Sequence, residues 1–410
     1  MRRWAVIACD QFTSEPAYWE EADRIAGDAP SALRLILPEA ELGSENVGEK
    51  IAAIQESMRS YLASGLFRVL PDSFLYTERL QSDGRTRKGL VGKIDLEAYD
   101  YNAGSTSPVR ATEGTVLSRI PPRAAVRKDA PLELPHVLLL IDDPDKTVIE
   151  PLSALSGAGE PVYDFDLMLG GGHLRAYEVP EEEKERIEDA LTSLADPSVQ
   201  AAKYGLPGKA PLLFAVGDGN HSLATAKRCY ELDKESTPPK AHLTLPSRWA
   251  LVEVENLHDP ALTFEPIHRI VFDTDPPELL DALKAYYPDA ADGEGEGHVL
   301  RYVYTAPDGT SLVTGAVTVP HPEKQLCVGT LQDFLDSYAK DHPCRIDYIH
   351  AEDSLLKRAS APRSIGFLLP AMGKDELFRT VMADGVLPRK TFSMGHARDK
   401  RYYVEARKIK

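Results

Sequence analysis

Short apolar runs alternate with amphipathic segments along the chain, and the two patterns predict strands and helices respectively. Uninterrupted apolar runs such as Pro135–Ile141 are typical of strands that are covered on both faces. The strands predicted in this way are Trp4–Cys9, Leu33–Leu37, Ser73–Glu78, Leu90–Leu96, Pro135–Ile141, Leu212–Val216, Trp249–Glu255, Val299–Tyr304, Ser311–Val319, Ile365–Leu369 and Tyr402–Ala406. The predicted helices are Pro16–Ala26, Val47–Leu62, Glu181–Leu194 and a segment from about Ser222 to Leu232. This mixture lacks a regular strand–helix alternation and predicts an α+β (mixed α/β) fold.

A polar segment divides the chain in two. Residues 233–240 (DKESTPPK) hold two prolines and are the best linker candidate. A chain of 410 residues is also long enough for two domains. We therefore predict an N-terminal α+β domain at 1–235 and a second α+β domain at 241–410.

The amino-acid composition of the chain limits the classes of molecule that it is expected to bind. The chain has 47 Lys and Arg against 64 Asp and Glu, a net charge of −17. This disfavours binding to nucleic acid or to an anionic membrane, because a protein neutralises phosphates with a basic face. The sequence has no apolar run of the roughly 18 residues that a membrane helix needs. The four cysteines are scattered without a Cys-x-x-Cys pair, which predicts reduced thiols and a cytoplasmic protein.

The most informative local pattern is an apolar strand that runs into a glycine-containing turn and a helix, at LLFAVGDGNHS. Unpaired amides at a helix start, together with the helix dipole, favour a phosphate. Asp218 would orient His221 or hold a metal ion, and His221 would contact a phosphate or carry a proton. The remaining residues predicted to bind the phosphate are Gly217, Gly219, Asn220 and Ser222. The same pattern also fits an ordinary turn without a ligand. Ser222 breaks the GxGxxG spacing, and no Walker A loop is present.

Two segments of this acidic chain are locally basic. The segment 110–128 contains Arg119 and Arg123 as candidate phosphate ligands and Glu113, before a Gly-Thr pair, as candidate general base. The loop 387–393 adds Arg389 and Lys390. Either segment also fits an ordinary solvated surface.

Four sequence segments together resemble one bacterial protein family, the domain-of-unknown-function family numbered one thousand and fifteen. The segments are CDQFTSEPAYWEEAD, GDGNHSLATAK, EPIHRI and LPRKTFSMGHA, and the resemblance covers nearly the whole chain. The central motif of that family is similar to the motif of the ParB/sulfiredoxin-like superfamily. Members of that superfamily bind nucleotides at this turn, as CTP-binding partition proteins, ATP-using sulfiredoxins and free-serine kinases do. The resemblance implies a ParB/sulfiredoxin-like N-terminal core, with Asp218 to His221 in the motif.

The sequence departs from that motif at two positions. Ser222 stands in place of the usual Arg, and Asn220 in place of the first His. Ser222 still offers a hydrogen bond, and Arg119 or Arg123 would supply the missing charge. The catalytic cysteine of sulfiredoxin has no counterpart in the motif, which argues against sulfinic-acid repair.

The leading hypothesis is an enzyme that transfers a phosphoryl group from ATP or ADP, with Mg²⁺, to a small hydroxylated metabolite, free serine being the first guess. In this hypothesis Asp218 helps to hold Mg²⁺, Arg119, Arg123 and Arg389 offset phosphate charge, and Glu113 takes the hydroxyl proton. One alternative is a non-catalytic nucleotide-binding switch, and another is a hydrolase of phosphoesters or nucleotides. The oligomeric state, including a homodimer, is left open.

Overall fold

A computed structural model describes residues 1–395 and 397–410 of the chain. Its α-helices are α1 (Pro16–Ala26), α2 (Val47–Ala63), α3 (Ile120–Arg127), α4 (Leu155–Ala158), α5 (Glu181–Leu194), α6 (Pro197–Tyr204), α7 (Asn220–Glu235), α8 (Pro276–Tyr286), α9 (Cys327–Asp341), α10 (Glu352–Ala359) and α11 (Lys374–Asp384). Its strands are β1 (Val6–Ile7), β2 (Leu75–Leu80), β3 (Thr86–Asp95), β4 (Tyr99–Asp100), β5 (Val109–Ala111), β6 (Leu132–Glu133), β7 (Leu138–Ile141), β8 (Tyr163–Asp166), β9 (His173–Glu178), β10 (Phe214–Asp218), β11 (Trp249–Asn256), β12 (Phe264–Pro266), β13 (His268–Phe272), β14 (Ala291–Asp292), β15 (His298–Thr305), β16 (Leu312–Val319), β17 (Arg345–Ile349), β18 (Ser364–Leu368), β19 (Phe392–Met394), β20 (Tyr402–Tyr403) and β21 (Arg407–Lys408). The α+β class predicted from the sequence is confirmed.

The chain forms two compact units. Unit 1 contains Met1–Leu262 and Gly395–Lys410, and unit 2 contains Thr263–Met394. This division differs from the predicted boundary between 235 and 241. The reason is that β11, which follows the predicted linker, pairs with β3 and β7 inside the main sheet of unit 1. The C-terminal strands β20 and β21 also pair within unit 1, with β1 and β6.

Unit 1 is built on a nine-stranded mixed sheet in the order β4-β5-β10-β7-β11-β3-β2-β9-β8. The pairs β4/β5, β5/β10 and β7/β11 are parallel, and the other neighbours are antiparallel. The register places Val216 of β10 opposite Ala111 of β5 and Asp218 opposite Leu138 of β7. The end of β10 therefore lies beside the end of β5 and the beginning of β7.

Both faces of this sheet are covered. Leu75 and Val91 pack in a cluster with Trp4, Ile54 and Tyr402. Their strand neighbours Tyr76 and Leu90 pack in a second cluster, on the opposite face, with Val216, Leu223 and Tyr230 of the β10–α7 region. Successive strand residues point to opposite faces, so each strand supplies both cores.

Unit 2 contains an antiparallel sheet in the order β14-β16-β15-β18-β13-β17 and a separate β12/β19 pair. Its hairpin of β15 and β16 turns at Asp308-Gly309, as the Asp-Gly pair predicts. Arg269 is completely buried and donates to the carbonyls of Ile267, Arg389 and Lys390. The loop that carries Arg389 and Lys390 is thus held from beneath by one guanidinium group.

Most predicted elements are present, with three clear exceptions. The predicted strand Tyr402–Ala406 is reduced to the two residues of β20. The predicted strand Leu33–Leu37 is wrong, since Ala32–Arg34 form a 3₁₀ turn capped by the Ser31 hydroxyl. The predicted strand Trp4–Cys9 is reduced to β1, because its partner β20 offers only two residues for pairing. Among the described residues, every helix is too short or too polar to cross a bilayer.

Candidate active site

The predicted strand–turn–helix is present at the end of β10. Gly219 has φ +79° and caps α7, and a Cβ at this position would lie 3.1 Å from Val137 Cα. The backbone therefore requires glycine here. Gly217 lies within β10 rather than in the turn. The Gly219 amide donates to Asp218 Oδ1 at 2.9 Å, and the Ser222 and Leu223 amides donate to Gly219 O at 3.0 Å. The backbone amides of Asn220 and His221 come before Ser222, whose amide is the first in α7 to donate to a carbonyl of the same turn.

Asp218 forms an ion pair with a residue from the far end of the chain. Its Oδ2 lies 3.1 Å from Lys400 Nζ, and both side chains are largely buried. Burial by itself raises the pKa of Asp218, but the charge and hydrogen bond of Lys400 outweigh it and hold the pKa below its ordinary value. A carboxylate and an ammonium group therefore lie together at the start of α7.

The Asn220 side chain forms a hydrogen bond to another segment of the protein. It is 9% exposed, and its Oδ1 accepts from the Thr112 amide at 3.2 Å. The Thr112 hydroxyl in turn donates to Val216 O at 2.6 Å. These bonds connect the segment after β5 to the first turn of α7. The side-chain amide of Asn220 therefore binds the protein itself and not the predicted phosphate.

The loop after β5 brings Glu113 to the turn. Because β5 and β10 are parallel, their carboxyl ends lie side by side, and Glu113 follows Thr112 at that edge. The Val116 amide donates to His221 Nε2 at 3.2 Å, which holds the same loop over the helix start. That nitrogen of His221 acts as an acceptor, so it is not the one that would donate to a phosphate.

The predicted arginines lie in different surroundings. Arg119 is exposed at the end of the 3₁₀ turn that precedes α3. Arg123 donates to Glu39 Oε1 at 2.5 Å, so part of its charge is already offset. Arg389 pairs with Asp336 at 3.0 Å and bonds Tyr348, within unit 2. Lys390, in the same unit, is exposed with φ +57°.

Sequence reasoning missed a hydrogen-bonded chain that begins at Ser222. Ser222 Oγ lies 2.6 Å from His136 Nε2, and His136 Nδ1 lies 2.7 Å from Tyr403 Oη. Tyr403 Oη also accepts from the Cys9 amide at 3.2 Å. The available signal was His136 itself, a polar residue just before the apolar strand β7, whose beginning pairs with the end of β10.

The C-terminal segment 397–405 supplies Lys400 and Tyr403 to this cluster. Arg79 donates to the carbonyls of Arg398 and Lys400, and Arg87 donates to Asp399 O at 2.8 Å. Arg401 pairs with Glu253 of β11 at 2.7 Å. These buried guanidinium groups fix the segment against β2, β3 and β11, and so fix the position of Lys400.

The residues around Asp218 do not form a metal site by themselves. Across residues 1–395 and 397–410, three or more His, Cys, Asp or Glu side chains do not converge in a way that would hold a metal ion. Mg²⁺ is commonly held by one or two carboxylates together with substrate phosphates. Asp218 therefore fits Mg²⁺ only in combination with a bound phosphate.

Comparison with known proteins gives one strong match. The family described as "Protein of unknown function (DUF1015)" matches residues 1–386, so Lys400 and Tyr403 lie outside the matched region. No curated protein matches the chain.

The solved structures that are similar to this chain match it with TM-scores below 0.4. A conserved hypothetical protein from Pyrococcus furiosus has TM-score 0.36 and 12% identity, covering 74% of this chain and 90% of that one. A free serine kinase in complex with AMP has TM-score 0.38 and 10% identity, covering 78% and 91%. SbnI from Staphylococcus aureus, with a C-terminal truncation, has TM-score 0.38 and 9% identity, covering 74% and 82%.

Proposed function

This chain belongs to the DUF1015 family, and we propose that it is a nucleotide-dependent kinase of a small hydroxylated metabolite, with free serine as the first acceptor to test. The observation that carries the proposal is the Lys400–Asp218 pair at the start of α7. It places a positive charge and a carboxylate at a helix N-terminus. The choice of serine follows the resemblance of residues 218–222 to the ParB/sulfiredoxin-like motif, and that relationship is part of the proposal.

The phosphates of ATP or ADP would bind at the beginning of α7. Lys400 would move from pairing with Asp218 alone to bridging Asp218 and a phosphate oxygen, and the dipole of α7 adds favourable potential. Arg119 and Arg123, on the neighbouring α3 region, would offset further negative charge. Arg389 and Lys390 belong to unit 2, and their role as phosphate ligands stays a prediction from the sequence.

Mg²⁺, when bound, would neutralise charge on the phosphates, and Asp218 is the residue that would hold it. Glu113 would accept the proton of the acceptor hydroxyl, because its loop is held over the turn by Val116 and Thr112. Positioning and charge neutralisation supply most of the rate in phosphoryl transfer, and these residues provide both.

Product analysis by mass spectrometry tests the proposal. The full chain is incubated with ATP or ADP, Mg²⁺ and a panel of hydroxylated amino acids, serine included. We expect a phosphorylated acceptor. Nucleotide binding without turnover would instead support the switch protein, and phosphate release without an acceptor would support the hydrolase.

A matched pair of variants assigns the site. Asp218→Asn should lower turnover by about 100-fold or more, since it removes the carboxylate that holds Lys400 and Mg²⁺. Asp233→Asn is the control, because Asp233 pairs with another C-terminal lysine, Lys410, at 3.5 Å and lies at the other end of α7. Full activity in the Asp218 variant would show that the site lies elsewhere.

A further inference from the structure

The Ser222–His136–Tyr403 chain has the geometry of an activated nucleophile. A nucleophilic hydroxyl is recognised by a base within hydrogen-bond reach that is itself oriented by a third group. Ser222 Oγ is 2.6 Å from His136 Nε2, and His136 Nδ1 is 2.7 Å from Tyr403 Oη. We propose that Ser222 is a covalent nucleophile, which accepts the phosphoryl group of the nucleotide before it reaches the acceptor. This inference rests on the proposed kinase function and replaces direct transfer with two steps.

Other hydroxyl groups of the protein form different hydrogen bonds or are more deeply buried. The Thr112 and Thr225 hydroxyls donate to the backbone carbonyls of Val216 and His221, at 2.6 and 2.7 Å. Thr330 in unit 2 also bonds a histidine, His298, but it is only 1% exposed. Ser222 and His136 are both partly exposed. Ser222 therefore combines an imidazole partner with access from solvent.

Hydrogen-bond directions along the chain permit the reactive tautomer. Tyr403 Oη accepts one bond from the Cys9 amide and has a second lone pair for His136 Nδ1–H. With the proton on Nδ1, Nε2 accepts from the Ser222 hydroxyl. Tyr403 is 2% exposed and held by β20, so the ring of His136 has a fixed support.

The surroundings favour charge development at this point. Asp218 is a carboxylate close enough to His136 for the two side chains to interact electrostatically. The imidazolium formed on proton transfer would therefore be stabilised by Asp218. Ser222 belongs to the first turn of α7, where an anionic group is favoured.

The phosphoryl group is transferred first to Ser222 and then to the acceptor. Ser222 Oγ attacks the terminal phosphorus of ATP, the Oγ–P bond forms, and the bond to the bridging oxygen breaks so that ADP leaves with the electron pair. The Ser222 proton moves to His136 Nε2. In the second step the acceptor hydroxyl, deprotonated by Glu113, attacks the same phosphorus, and Ser222 recovers its proton from His136. With ADP as donor the same sequence releases AMP.

Labelling with γ-³²P-ATP and Mg²⁺, without acceptor, tests the proposal directly. We expect acid-stable phosphate on the peptide containing Ser222, which is discharged when serine is added. Ser222→Ala should lose the label. His136→Gln should slow labelling by about 100-fold or more, as for loss of a general base. Ser236→Ala, at the exposed far end of the same helix, should label like the wild type.

Two further variants guard against misfolding. Ser222→Thr retains a hydroxyl at the same position and should keep measurable labelling, while Tyr403→Phe retains the ring and should label more slowly than the wild type. Labelling that is unaffected by His136→Gln would overturn the assignment of the base. Transfer to serine with Ser222 never labelled in a single turnover would overturn the covalent step and leave the kinase function standing.

A nucleotide-independent probe separates the two proposals. Diisopropyl fluorophosphate reacts with serines that a neighbouring base activates. Modification of Ser222 that depends on His136, in a protein that shows no kinase activity, would support the nucleophile and contradict the proposed function. Absence of both modification and phosphate labelling would contradict the nucleophile.

Discussion

At the scale of single residues, the Lys400–Asp218 pair determines the electrostatics of the turn. A largely buried carboxylate without a cation would carry a large desolvation cost and would take up a proton more readily. Lys400 prevents this, and the pKa of Asp218 stays below its ordinary value although burial acts in the opposite direction. The ionised state of Asp218, which the proposed binding of Mg²⁺ would require, thus depends on Lys400.

Lys400→Met should weaken ADP binding, because methionine preserves the apolar stem and removes the ammonium group. We expect a loss of about 10- to 100-fold, which corresponds to about 1.4–2.7 kcal/mol. Isothermal titration calorimetry with ADP and Mg²⁺ measures it. Lys408→Met, at an exposed position of β21, serves as the control. Equal affinity of the Lys400 variant and the wild type would remove Lys400 from the site.

The sequence identified candidate residues in one continuous motif and in the separate segment 110–128, but it did not show which other distant segments contact the motif. Asp218 and His221 follow directly from the strand–turn–helix pattern. His136 and Tyr403 reach Ser222 through β-sheet pairing, in which β7 lies beside β10 and β20 lies beside β1. A single sequence does not specify that pairing, because apolar strands of similar length are interchangeable by pattern alone.

At the scale of elements, the turn between β10 and α7 depends on one glycine. Gly219 combines a left-handed φ with a close approach to Val137. The Gly-Asp-Gly-Asn letters are sufficient to predict the turn, since glycine and asparagine favour this backbone. The apolar residues at 33–37 led to the wrong prediction of a strand, because periodicity does not distinguish a short buried strand from other buried segments. Here the Ser31 hydroxyl accepts from the Leu33 amide and starts a 3₁₀ turn.

Gly219→Ala should destabilise the protein more than Gly205→Ala. Both positions have positive φ, +79° and +66°, and each alanine there costs about 1–2 kcal/mol in backbone strain. Only the alanine at 219 also meets Val137 at 3.1 Å, whereas a Cβ at 205 meets no described atom within 4 Å. The contact should add about 1 kcal/mol or more. Urea unfolding of both variants measures the difference, and equal losses would show that Val137 gives way without cost.

At the scale of the whole molecule, unit 1 depends on a buried charge network that sequence patterns do not reveal. Glu253 and Glu255 of β11 face inward, with Arg401 and Arg87 as partners at 2.7 and 2.8 Å. In the sequence WALVEVEN these glutamates look like the solvent face of an alternating strand. The sheet is covered at this point by the C-terminal segment 397–405, whose arginine partners come from β2 and β3. The strand itself is as predicted, but its polar face is covered rather than exposed.

This network makes stability depend on pH through Glu255, which is 0% exposed. Burial raises the pKa of Glu255 to about 7, against the charge of Arg87 and with the help of the neighbouring Glu253. The folded state then holds a proton that the unfolded chain has already released above its ordinary pKa of about 4.5. Because the unfolded state binds fewer protons in this window, the contribution of Glu255 to stability falls as pH rises from about 4.5 to about 7.

Glu255→Gln should remove that decline, since glutamine keeps the shape of the side chain and does not titrate. A tenfold difference in proton affinity between the folded and unfolded chains corresponds to about 1.4 kcal/mol, so the contrast between variant and wild type is large enough to follow by urea unfolding at intervals from pH 4.5 to pH 7. The free energy of unfolding of the variant, relative to the wild type, should rise with pH across this window. Glu188→Gln, at an exposed position of α5, should leave the wild-type profile unchanged. A constant difference between the Glu255 variant and the wild type at every pH would mean that folding does not shift the pKa of Glu255, with Arg87 compensating fully for its burial.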